Sequence, residues 1–99
     1  MNEKLIEKKL VAEIKKRGGI ALKFSSFFMT GFPDRIVLLP GGHIYFVELK
    51  TTGMKPKPIQ EERIKELRKL CFNALVIDSQ EGLNKLLTEI DYRKAYNGI

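Results

Sequence analysis

RIVLL (Arg35–Leu39), PGG (Pro40–Gly42) and IYFVEL (Ile44–Leu49) follow one another in the middle of the sequence. Two runs of β-branched and aromatic residues joined through a proline–glycine turn predict a β-hairpin. Alternate residues of a strand point to opposite faces, so Ile36, Leu38, Ile44 and Phe46 share one face while Val37, Leu39, Tyr45 and Val47 share the other. Both faces are apolar. A sheet buried on both sides needs helices on both sides, which predicts an α/β layered fold.

Working outward, Leu5, Ile6, Leu10, Val11 and Ile14 recur at helical spacing, predicting a helix over residues 3–17 that stops at Gly18-Gly19. Ile20–Phe24 reads as a short strand and Ser25–Pro33 as a loop. Beyond the hairpin, Gly53, Pro56 and Pro58 interrupt any regular period. A helix is predicted over Ile59–Leu70, with Pro58 where a first helical turn tolerates it. Ala74–Ile77 reads as a buried strand. Asp78 and Glu81 resemble a capping box opening a last helix, with Leu83, Leu86, Leu87 and Ile90 on one stripe. The predicted order is αβββαβα in one domain over residues 1–99, with no linker, repeat or low-complexity segment.

Composition narrows the chemistry. The chain has 99 residues, and a domain of that size buries roughly 60–70% of its extended-chain surface, enough for one modest core. Lys plus Arg number 18 against 12 Asp plus Glu, a net charge of +6, which favours a polyanionic partner such as nucleic acid. A merely soluble basic protein has the same balance. The single Cys71 forms no intrachain disulfide and excludes a cysteine-rich zinc site. The single His43 excludes His-pair metal sites. No GxxxxGK or GxGxxG loop is present, nor any apolar run near the ~20 residues of a membrane span. These absences predict a soluble intracellular protein.

The chemically informative residues are Asp34 and the run Glu48-Leu49-Lys50. Glu48 and Lys50 share a strand face and Leu49 points the other way, into the core. A turn at Pro40–Gly42 pairs Leu39 with His43, and counting back along both strands puts Asp34 opposite Glu48. Carboxylates about 5 Å apart repel each other unless a cation neutralises them. Oxygen ligands suit Mg²⁺ or Mn²⁺, held by one or two carboxylates with water and substrate phosphate. Lys50 adds a positive charge beside such a site. The plainer reading is a same-face Glu48–Lys50 salt pair with Asp34 a turn residue; apolar strands, the Gly31-Phe32-Pro33 bend and the basic chain weigh against it.

Gly31-Phe-Pro-Asp-Arg35 followed by Val47-Glu-Leu-Lys50 resembles the PD-(D/E)xK nuclease superfamily. Within it the chain is most similar to the virus-type replication–repair nuclease (VRR-NUC) domain in its stand-alone viral or bacterial form, from about Glu3 to Asp78. The resemblance implies a restriction-endonuclease-like core with a mixed sheet. It implies Asp34, Glu48 and the main chain of Leu49 as ligands of Mg²⁺ or Mn²⁺, Lys50 as the catalytic lysine, and Gln60 as the helix residue supporting the site. It matches Glu7 to an acidic position of the first helix, also found in the similar Holliday-junction resolvases. Taken alone, Glu7 is equally a helix-edge residue reaching water, and Gln60 an ordinary polar residue of a first turn. The implied activity is metal-dependent, structure-selective endonucleolytic hydrolysis of branched DNA by a homodimer, in the cytoplasm of a bacterial or virus-infected bacterial cell. The alternative is a non-catalytic basic DNA-binding module on the same fold.

Lysines and arginines stud the first helix and the segment after the Glu48–Lys50 strand end without base-reading residues, so they would give affinity rather than sequence selection. Most belong to solvated helix faces. Lys55 and Lys57, on the loop leaving the Glu48 strand, are the strongest DNA-contact candidates, with Lys23 and Arg35 beside them. The Ser25–Met29 loop is a candidate surface for DNA or a second subunit, and for the dimer the Phe27–Phe32 loop is favoured over the last helix's apolar stripe, which more often forms intramolecular core.

Overall fold

The computed structural model describes residues 1–97, and side chains as far as residue 95; the last two positions of the predicted 1–99 domain lie outside the described residues. The elements are α1 (Glu3–Lys16), β1 (Ile20–Lys23), β2 (Arg35–Leu39), β3 (His43–Leu49), α2 (Pro58–Lys69), β4 (Asn73–Ile77) and α3 (Gln80–Asn97). The four strands form one sheet in the order β1-β2-β3-β4. β1, β2 and β3 are antiparallel neighbours, and β4 runs parallel to β3 after the α2 crossover. This is the predicted αβββαβα order in a mixed sheet.

The hairpin register is the predicted one: Leu39 pairs with His43 and Arg35 with Val47, leaving Pro40–Gly42 as the turn. Its two faces separate as the alternation requires. Val37, Tyr45, Val47 and Leu49 join Ile6, Leu10 and Ile14 of α1 and Leu83, Leu86, Leu87 and Ile90 of α3 in the main core. Burying each such aliphatic side chain contributes roughly 1.5–3 kcal/mol. The last helix's stripe is therefore intramolecular core and is not a free surface for a second subunit. On the opposite face Phe46 packs with Ile64 and Leu67 of α2, Ala74 and Phe32. α2 lies over β4, so Ile36, Leu38 and Ile44 on that face are only half-buried.

Two local expectations are corrected. Leu5 and Val11, placed on the α1 stripe, are 44% and 38% exposed. The buried line is Ile6, Leu10 and Ile14, and Leu5 and Val11 lie to either side of it on a helix turning 100° per residue. The α3 cap is Ser79, whose Oγ accepts the Gly82 N–H at 3.0 Å. Asp78 does not cap; its carbonyl accepts the Thr52 hydroxyl instead. At the other end of the chain Asn2 caps α1 by accepting the Leu5 N–H at 2.9 Å, and α1 ends where Gly18 turns to φ +78°.

Candidate active site

The register that closes the hairpin also builds the site. Continuing the Arg35–Val47 pairing one step brings Asp34, at the entry to β2, across from Glu48 near the end of β3. Asp34 Oδ1 accepts the Leu49 N–H at 3.3 Å, and its carbonyl accepts the Phe24 N–H at 2.8 Å, so the residue is fixed between both neighbouring strands. Leu49 is buried in the main core, as predicted, and turns Glu48 and Lys50 to the α2 face. Lys50 Nζ lies 3.5 Å from Glu48 Oε2.

Gln60 completes the cluster, for a reason rooted in the start of α2. Its Oε1 accepts the N–H of the N-cap Lys57 at 2.8 Å, satisfying a donor that the helix leaves unpaired. A main-chain N–H can only donate, so the amide oxygen must face it and the NH₂ must face the other way. There Nε2 donates to Glu48 Oε2 at 3.2 Å. The lysine and the amide both meet Oε2, and among the described residues Glu48 Oε1 has no hydrogen-bond partner.

The electrostatics are those of a carboxylate pair holding too much negative charge. Glu48 is 4% exposed; burial, and next the charge of Asp34, push its carboxyl up to about 7 despite the nearby Lys50 ammonium. Burial also raises Asp34, against the pull of the Leu49 N–H. A proton relieves the repulsion, and a divalent cation would relieve it equally. Among the described residues no three or more His, Cys, Asp and Glu side chains gather as a ligand set. Two carboxylates are the protein donors Mg²⁺ or Mn²⁺ takes when water and phosphate supply the rest, so these residues fit the implied ion.

Glu7 is not brought into this cluster. Arg35 pairs with Val47 and so lies on the α1 face, where its Nη2 meets Glu7 Oε1 at 2.8 Å and its Nη1 donates to the Ala21 carbonyl at 3.2 Å. The sheet stands between Glu7 and Glu48. Arg35 is 7% exposed, so the expectation that it contacts DNA is corrected: its guanidinium is a buried internal partner. Lys23, Lys55 and Lys57 are exposed, Lys23 where β1 ends and the other two on the loop after β3.

Glu3 was missed. Its charge raises both Asp34 and Glu48, because its N–H donates to Thr51 Oγ1 and Thr52 N–H donates to the Met1 carbonyl, holding the start of α1 against the end of β3. An acidic residue in a first helical turn has a sufficient local explanation in the helix dipole, so no sequence signal marked it.

An α/β sheet gathering two facing carboxylates, a lysine two residues on and a helix glutamine has the layout of the PD-(D/E)xK nuclease class. Within it the chain belongs to the VRR-NUC domain family. It is 45% identical over 91 residues to "Putative nuclease p44" of Acyrthosiphon pisum secondary endosymbiont phage 1, covering 92% of this chain and 97% of that one. A solved structure described as a VRR_NUC domain superposes with a TM-score of 0.81 at 33% identity, over 87% of this chain and 94% of the other. A second, described as a VRR_NUC domain protein, shares the fold with a TM-score of 0.63 at 22% identity, over 95% of this chain and 89% of that one. No family profile matches the chain. Among the described residues no helix is long and apolar enough to cross a membrane.

Proposed function

We propose that this nuclease-family chain is a divalent-metal-dependent, structure-selective DNA endonuclease that hydrolyses phosphodiester bonds in branched DNA as a homodimer. The observation carrying this reading is the buried Glu48 carboxylate facing Asp34, held from one side by Lys50 and Gln60 with Oε1 left open. Asp34 and Glu48, with the main chain of Leu49, would hold Mg²⁺ or Mn²⁺. When bound, such an ion lowers the pKa of water and neutralises phosphate charge. Lys50 places an ammonium where negative charge gathers on the phosphate. Gln60 keeps the Glu48 carboxylate in one orientation. A Holliday junction needs two symmetric cuts, which a two-fold dimer with one site per subunit supplies.

Incubation with labelled linear, flap and four-way-junction DNA, with Mn²⁺ or with EDTA, tests the reading. Cleavage in Mn²⁺ alone and favouring the branched substrates is expected. Undiminished cutting in EDTA would refute the metal role, and binding without any cutting would leave the non-catalytic DNA-binding module.

Gln60→Leu is expected to weaken Mn²⁺ binding about tenfold by calorimetric titration, because the partner orienting a ligand sets its affinity. An unchanged affinity would reduce Gln60 to a helix cap. DNA affinity should fall steeply with salt and vary little with sequence, since Lys23, Lys55 and Lys57 offer phosphate contacts only. Fluorescence anisotropy between 50 and 200 mM salt measures this, and a tight sequence-specific footprint at the higher salt would contradict it.

A further inference from the structure

Between β1 and β2 the chain carries Phe27 and Phe28, 97% and fully exposed, at the tip of the Ser25–Pro33 loop. Adjacent phenylalanines that bury nothing are uncommon on a small domain and mark a contact site. The loop beneath them is anchored. Phe24 and Phe32 meet edge to face at 5.3 Å, and Arg63 Nε donates to the Thr30 carbonyl at 2.9 Å, tying the loop to α2. Gly31 sits at φ +83°, where a Cβ would come within 2.9 Å of Ile59, so close packing on α2 requires glycine there. Ser26 Oγ accepts the Met29 N–H at 3.1 Å, which tightens the tip. The rings are thus presented outward on a braced loop.

The register fixes where they project. β1 ends and β2 begins at the end of the sheet where β3 finishes, so the loop shares that end with Asp34, Glu48 and Lys50. The loop runs directly into Asp34, and the exposed cations Lys23, at the end of β1, and Lys55 and Lys57, on the segment leaving β3, belong to the same end of the sheet. Exposed apolar rings at the same end of the sheet as exposed cations suit a partner with flat apolar faces on a polyanionic backbone. A second copy of this chain, with its net charge of +6, presents the same cations and is the poorer match.

We infer that Phe27 and Phe28 form a stacking wedge for unpaired bases, engaging DNA where a branch or flap opens next to the Asp34–Glu48 site. The inference rests on reading the chain as a DNA nuclease and adds how it selects opened DNA. Bases stack on aromatic rings with little sequence preference, and each such contact changes affinity about five- to a hundredfold.

Because both side chains are solvent-exposed, their replacement leaves the core intact. Phe27→Ala/Phe28→Ala is expected to lose about tenfold or more in affinity for flap and four-way-junction DNA in EDTA, with affinity for fully paired duplex unchanged. Phe27→Tyr/Phe28→Tyr should restore it, and Trp fluorescence of Phe28→Trp should be quenched by oligothymidylate in EDTA. Equal affinity of wild type and alanine variant for branched DNA would overturn the wedge. So would conversion of a dimer to a monomer by the alanine pair with no loss of branch preference, which would make the loop a subunit contact. Absence of cleavage in Mn²⁺ with the affinity difference and quenching intact would remove the nuclease and keep the wedge. Metal-dependent cutting with no affinity difference would do the reverse.

Discussion

Glu48→Gln is expected to abolish metal-dependent cleavage while stabilising the metal-free protein at pH 8 by roughly 2–3 kcal/mol. The Glu48 carboxyl is pushed up to about 7 from an ordinary value of 4.5, so the folded chain holds its proton more tightly than the unfolded chain does. Between those values the native state binds more protons, and stability falls as pH rises. This group's contribution is most favourable below pH 4.5 and is lost by about pH 7, a total on the order of 3 kcal/mol. Glutamine removes the charge but keeps an oxygen for the Gln60 amide, so urea denaturation in EDTA should show a flatter pH dependence and a higher midpoint at pH 8. Mn²⁺ should raise the wild-type melting temperature more at pH 8 than at pH 5.5, since the ion must displace the proton, and should not raise that of the variant. Cleavage should drop by about a hundredfold or more with a ligand gone. A variant several kcal/mol less stable than wild type would make Glu48 structural, and one that still cuts would dismiss it as a ligand.

Glu7→Ala should behave in the opposite way, losing stability and keeping its chemistry. The Arg35 side chain is 9% exposed, its Nε has no hydrogen-bond partner, and Glu7 supplies its counter-charge at 2.8 Å. Removing that carboxylate leaves a buried cation with the Ala21 carbonyl. Breaking a buried pair costs about 3–5 kcal/mol; the 37% exposure of Glu7 admits water and puts this case near 2–3. The melting temperature should fall by 10 °C or more for a domain this size. Replacing both partners by apolar residues, Glu7→Leu with Arg35→Met, should recover most of the loss. Cleavage per folded molecule should stay within about threefold, because the sheet separates Glu7 from Glu48. A hundredfold loss of rate with unchanged stability would return Glu7 to the catalytic set.

These two carboxylates mark the boundary between what was legible in the sequence and what was not. The β-rich runs Arg35–Leu39 and Ile44–Leu49 settled the hairpin, and the length of the Pro40–Gly42 turn between them settled its register, since both faces are apolar and the turn decides which residues pair. That register alone put Asp34 across from Glu48, and a strand's two-residue repeat put Lys50 beside it. Local periodicity likewise set the αβββαβα order and the helix on each side of the sheet.

Tertiary structure decided whatever depends on contact between elements far apart in the chain. The resemblance matched Glu7 to an acidic position of the first helix but could not say which neighbour it meets; packing paired it with Arg35, which turned a predicted DNA contact into a buried partner. Glu3 joined the electrostatics of the site only because Thr51 and Thr52 dock the start of α1 on the end of β3. Gln60 reaches Glu48 because the unpaired N–H of Lys57 holds its amide oxygen, an orientation that requires α2 to lie against the strand. Strand and helix periods are properties of a few consecutive residues, whereas the partner of a charged side chain is chosen by which elements pack together, and that is a property of the whole chain.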